Sequence, residues 1–141
     1  MRWLRRILAI AVVLAVGGLG LVMAASELGG EVVTLHTHEG DGEKRTHLWV
    51  VDDGGSAWLR AGRPGSGWLA RIEKDPDVVV ERGGRPGRFQ ATPVREPQVR
   101  DRIHQLMREK YGIADWLVSV GRDPARSVPV RLEPAAPEGR Q

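Results

Sequence analysis

The sequence predicts a mainly β domain of the α+β class: about six short strands closed into a small barrel with one longer helix, behind an N-terminal transmembrane helix. Three observations predict it. Short β-prone runs recur between glycine-rich turns across residues 31–134. Only one later stretch, Pro97 to Tyr111, has substantial helical periodicity. An uncharged apolar run precedes them all. At 141 residues the chain has room for one membrane segment and one small domain, and closing the strands into a barrel removes exposed sheet edges.

The chain opens MRWLRR and continues with nineteen uncharged residues from Ile7 to Ala25. At a helical rise of about 1.5 Å these span roughly 28 Å, close to the hydrocarbon thickness of a bilayer. Arg2, Arg5 and Arg6 lie before the run and Glu27 and Glu31 after it. The positive-inside rule therefore predicts a cytoplasmic basic segment over residues 1–6, a transmembrane anchor over 7–25 and an extracytoplasmic domain. Val22-Met23-Ala24 supplies the small-residue pattern of a cleaved signal peptide, which is the alternative, although the run exceeds the usual apolar core of about 7–15 residues.

Within the domain, Val32 to Leu35 starts the first strand and Glu39-Gly40-Asp41-Gly42-Glu43 turns the chain back. Leu48 to Val51 and Ala57 to Leu59 form a hairpin around Asp53-Gly54-Gly55-Ser56. The loop Arg60-Ala61-Gly62-Arg63-Pro64-Gly65-Ser66-Gly67 offers guanidinium groups and unobstructed backbone N–H groups just before a short helix at Trp68, an arrangement suited to phosphate. Asp77 to Arg82 and Arg88 to Val94 flank the turn residues 83–87. Pro97 opens the long helix, in which Val99, Ile103, Leu106, Met107 and Tyr111 share a face and Gly112 terminates. Ser127 to Glu133 closes the sheet, and residues 135–141 form a disordered polar tail.

A net charge of +3 dispersed along the chain does not point to nucleic acid. The absence of cysteine excludes disulfides, thiolate metal sites and thiol chemistry. No Ser-His-Asp or paired-carboxylate arrangement supports hydrolysis. His36 and His38 share a strand face near His47, but no carboxylate lies at ligand spacing, so a partly exposed histidine cluster outweighs a zinc or haem site. His104 is expected on the exposed side of the helix. Trp58 reads as core.

In this order, Lys44-Arg45 leading into Leu48-Trp49, the loop Arg60 to Gly67, the segment Trp68 to Val80, Ala114-Asp115-Trp116 and Pro129 to Pro134 resemble the deazaflavin-dependent nitroreductase family. That family has the split β-barrel of flavin-binding, pyridoxamine-phosphate-oxidase-like proteins. The resemblance covers roughly residues 31–134 and implies a site. Arg45, Thr46, Leu48 and Trp49 would line the cofactor, and Arg60, Ala61, Gly62 and Arg63 would hold its phosphate end. Gly67, Trp68, Leu69, Ala70 and Arg71 would border it, with Tyr111 and Trp116 on the substrate side. The chain departs from the family in its acidic turn at Glu39 to Glu43, where members usually carry a basic one.

The resemblance implies a membrane-anchored oxidoreductase. It would use a reduced deazaflavin of the coenzyme F420 type, or alternatively FMN, to transfer hydride to a quinone or nitroaromatic compound. Such chemistry needs no acid–base set from the protein. The family also implies a homodimer, and the anchor suits a lipophilic substrate. The acidic turn and the extracytoplasmic placement favour the alternative, a non-catalytic membrane-tethered split barrel that binds haem, another ligand or no cofactor.

Overall fold

Paired glycines set the registers of two hairpins. Gly54-Gly55 (φ 60° and 81°) and Gly83-Gly84 (φ 59° and 76°) place both central turn residues in the left-handed region, the geometry that matches the twist of the flanking strands. In the computed structural model, residues 2–29 and 31–136 are described, with side chains for 2–16 and 31–136. The elements are α1 (Arg2–Gly29), β1 (Val32–Glu39), β2 (Gly42–Trp49), β3 (Val51–Asp53), β4 (Ser56–Ala61), α2 (Gly67–Lys74), β5 (Asp77–Arg82), β6 (Arg85–Pro93), α3 (Pro97–Tyr111), α4 (Ile113–Ser119) and β7 (Val128–Pro134). A 3-10 turn, Pro124–Arg126, precedes β7.

The strands form one antiparallel sheet in the order β2-β1-β5-β6-β7-β4-β3. It curls into a half-barrel, bringing β2 against β4 although the two are not paired in the sheet. Val33, Leu35, Leu59, Val78, Val80, Val130 and Leu132 fill the interior, and α2 contributes Trp68, Leu69 and Ile72 to the same core. A second cluster, Val51, Trp58, Ile103, Met107 and Tyr111, packs with α3.

Four expectations change. The strands do not close into a barrel free of edges: the sheet ends at β2 on one side and β3 on the other. Seven strands replace about six, because the expected strand from Leu48 to Val51 is broken at Val50. Val50 donates its N–H to Tyr111 Oη (3.0 Å) and accepts from Lys110 Nζ (2.9 Å), so its backbone binds α3 between two strands. The helical content is larger, since the Ala114-Asp115-Trp116 word belongs to α4. His104 is half-buried, not on the exposed side of its helix.

All described side chains of α1, residues 2–16, are exposed. Among the described residues no helix is long and apolar enough to cross a membrane. From residue 17 onward, the expected span over 7–25 has side chains outside the described residues, as does the tail from 137. Beyond α1, Glu31 binds Arg82 (2.7 and 2.9 Å) and Lys110 (2.7 Å), while Tyr111 donates to the Glu31 carbonyl (2.7 Å).

Candidate functional site

Strand alternation sends Leu59 and Ala61 into the barrel and turns Trp58 and Arg60 toward α3. There Arg60 Nη1 donates to His104 Nδ1 (3.0 Å) and Nη2 to Asp115 Oδ1 (2.5 Å). The latter ion pair is buried, with side chains 10% and 6% exposed. A guanidinium cannot accept, so Nδ1 accepts and Nε2 carries the His104 proton. That nitrogen faces Ser127 Oγ (2.5 Å) and the Pro124 carbonyl (3.1 Å). Burial, then the charge of Arg60, lowers the His104 pKa and favours the neutral ring. This network ties α4 and the 3-10 turn to β4.

Just past Arg60, the loop tightens where Ser66 donates its hydroxyl (2.8 Å) and its N–H (3.2 Å) to the Arg63 carbonyl. No side chain caps α2, whose first-turn N–H groups have no intrahelical acceptor. Three hollows meet around the loop, each lined by Gly62 and Arg122. The first, about 330 Å³, lies among His47, Leu48, Trp49, Arg60, Arg63, Trp68, Met107 and Val118. The second follows Arg63 to Gly67 and includes Arg126. The third, about 400 Å³, reaches His104, Arg108, Asp115, Trp116 and Ser127. Gly62 is needed for this closeness, since a Cβ there would lie 2.7 Å from Arg122 Nη1.

Leu48, Trp49, Arg60, Gly62, Arg63 and Trp68 thus line one cleft, and Gly67 lines the adjoining groove. Ala61 and Leu69 are core residues. Arg45 reaches out to Glu43 (3.4 Å), and Thr46 is paired opposite Leu35, next to the cleft residue His47. Ala70 and Arg71 lie in a separate hollow beside His38 and Glu39, where Arg71 Nε donates to Thr37 Oγ1 (2.7 Å). Tyr111 backs the cleft wall: its ring stacks on Trp49 at 4.5 Å and 8°, and burial raises its pKa to about 12. Trp116 lines only the third hollow and is 65% exposed.

Sequence reasoning missed Met107, His104, Asp115, Ser127 and Arg122. Met107 had a signal, its place on the apolar stripe of α3. The others reach Arg60, Gly62 or, for Ser127, His104 only through the fold. None of the acidic turn's carboxylates lines the cleft; Glu43 binds His36 (2.6 Å) and Arg45, Glu39 lies 3.8 Å from Lys44, and Asp41 is exposed. The His36 hydrogen bond lowers the Glu43 pKa most. Among the described residues no group of three His, Asp or Glu could hold a metal ion.

No protein-family model and no curated protein matches the chain. Solved structures do match. A protein from Listeria innocua, provisionally assigned as a pyridoxamine 5′-phosphate oxidase, superposes with a TM-score of 0.60 at 18% identity over 83% of this chain and 93% of its own. An F420-H2 dependent reductase matches with a TM-score of 0.56 at 20% identity, covering 73% and 94% of the two chains. A protein described as a domain-swapped dimer also has a TM-score of 0.56 and 20% identity, covering 73% and 80%. The split-barrel fold expected from the sequence is therefore the fold this chain shares with them.

Proposed function

We propose that this chain is a membrane-anchored oxidoreductase that holds a reduced deazaflavin, or FMN, in the cleft beside Trp49 and reduces a quinone or nitroaromatic compound. One observation carries the reading: an apolar wall of Leu48, Trp49 and Met107 faces exposed arginines across a cleft of about 330 Å³. The residues fit such a group. Among the described residues Arg63, Arg122 and Arg126 are exposed and carry no ion pair, and the glycine at position 62 lets the Arg122 guanidinium lie against the loop. Arg60 differs, because Asp115 already neutralises it. Phosphate binding therefore falls to Arg63, Arg122 and the N–H groups at the start of α2.

The cofactor, when bound, supplies hydride chemistry. This chain's residues bind and orient: Trp49, held flat by its stack on Tyr111, offers a ring face, and Leu48, Trp68 and Met107 exclude water. In this reading α1 anchors the chain in the bilayer with the cleft on the extracytoplasmic side. The uncharged run and the exposure of residues 2–16 support the anchor, and the charge asymmetry around the run supports the topology. A homodimer is part of the same reading, supported by the fold shared with a domain-swapped dimer.

Titration of the full chain in detergent with deazaflavin and with FMN, read by visible absorbance and tryptophan quenching, tests it. Saturable binding of either is expected. A folded chain that binds neither overturns it. The second reading, a non-catalytic binding module, draws support from His47, an exposed imidazole at the cleft edge. A haem Soret band that shifts with His47→Ala would favour it.

A further inference from the structure

Helix α4 is amphipathic in the inverted sense. Ile113, Trp116, Leu117 and Val120 recur at i, i+3, i+4 and i+7, the spacing of a single helical stripe continued one residue past the helix end. In a water-soluble domain that stripe would face the core. Here it faces outward, with exposures of 76%, 65%, 41% and 63%, while the charged Asp115 is buried to 4%. Rotating α4 to bury the stripe would pull Asp115 from Arg60 and leave a guanidinium uncompensated in a site where its side chain is only 10% exposed. The buried pair thus fixes the apolar face outward.

What covers that face follows from its neighbours. α1, which contains the uncharged run, lies against α4 and α3. Two residues after α1, Glu31 is bound to Arg82 and Lys110. Arg108 and Arg122 line the hollow that Trp116 and Val118 enter, adding cations beside the apolar residues, the combination an interfacial helix presents to lipid headgroups. Val118 also lines the cleft beside Trp49.

We infer that the outward stripe of α4 lies in the bilayer interface, and that the cleft beside it takes a lipophilic acceptor directly from the lipid. This rests on the anchored reading given above and adds a second membrane contact and a substrate route to it. The stripe then meets acyl chains at a depth of about 5–10 Å.

The chain has no cysteine, so a single introduced thiol can be labelled without background. Full-length chains carrying Leu117→Cys, Val12→Cys or Gln90→Cys are nitroxide-labelled and reconstituted in vesicles of phosphatidylcholine and phosphatidylglycerol. Collision with oxygen, which concentrates in lipid, is compared with collision with a water-soluble nickel chelate. The expected result is lipid-like accessibility at 117 and 12 and aqueous accessibility at 90. A lipid-like label at 12 with an aqueous label at 117 overturns the inference and leaves the anchor standing. Aqueous labels at both positions overturn both. Spin–spin broadening at 117 would instead assign the stripe to a second copy and overturn the lipid assignment. Deazaflavin titration of the same samples reports on the cofactor reading separately. Leu117→Asp should raise KM for a long-chain quinone in vesicles while leaving turnover of a short, water-soluble quinone unchanged; equal effects on both would count against the lipid route.

Discussion

Replacing Asp115 with alanine should cost this protein about 3–5 kcal/mol, the range for breaking a buried ion pair by removing one partner. The geometry argues for that range. Arg60 and Asp115 have side chains 10% and 6% exposed and meet at 2.5 Å, and the remaining neighbour of the guanidinium, His104, offers only a neutral nitrogen. Asp115→Asn keeps the shape and loses the charge, so it should fall in the same direction with a smaller loss. The double variant Arg60→Met with Asp115→Leu removes both charges. It should recover most of the loss, because a well-packed apolar pair of similar volume is often neutral or stabilising. Urea denaturation of the full chain in detergent, followed by tryptophan fluorescence, measures each cost, and adding the single variants Arg60→Met and Asp115→Leu to their double closes the cycle that gives the coupling. A cost below about 1 kcal/mol for Asp115→Ala, in the range of exposed surface pairs, would refute the claim that this pair holds α4 in place.

Arg63→Ala should weaken cofactor binding about ten- to a hundredfold, the loss of one charge-assisted contact worth roughly 1.5–3 kcal/mol. Arg95→Ala, whose partner Glu73 lies outside the cleft, should leave the titration unchanged, whereas Arg126 shares the groove and is not a control. Gly62→Ala should barely change the urea midpoint, since the flexible end of Arg122 can give way, yet it should weaken anion binding by displacing that guanidinium. Arg82, with desolvation opposing it and Lys110 assisting, lowers the Glu31 pKa to about 2 from 4.5. The stability advantage of wild type over Glu31→Gln should therefore be full above pH 4.5 and close as the pH falls toward 2, in thermal melts across that window. His104 has a lowered folded pKa, so protonation favours the unfolded chain, and stability should fall as the pH drops below about 6.5; His104→Asn should flatten that limb of the melt profile.

The strands and α3 were legible because their signals are local. Gly54-Gly55 and Gly83-Gly84 mark two-residue turns, and Pro97 and Gly112 bracket α3. β3 was not legible as a separate strand, since the break at Val50 is imposed by Tyr111, 61 residues away. α4 was obscured by its own inversion. An apolar stripe that faces outward with its aspartate buried contradicts the rule by which helices are read, and only the position of Arg60 explains it.

The site followed the same division. The loop from Arg60 to Gly67 reads as a candidate anion cradle from composition alone, because glycine and arginine before a helix start carry that meaning locally. Which arginine is available could not be read there. Strand alternation alone would place Arg60 and Trp58 on one face, but not reveal that Asp115, 55 residues on, would neutralise the first. Arg122, 59 positions beyond Arg63 in the sequence, lies across Gly62 because that residue has no side chain. A loop with two arginines thus becomes a structural cation facing α4 and an open cation facing the groove. The same buried pair that neutralises Arg60 turns the apolar stripe of α4 outward, so the choice of open arginine in the loop and the outward stripe are consequences of one ion pair. In Asp115→Ala both should change together: the nitroxide at 117 should lose its fixed depth in vesicles, and Arg60, released, should strengthen anion binding in the cleft it lines. Tighter binding with an unchanged label, or the reverse, would show that the two surfaces are set independently.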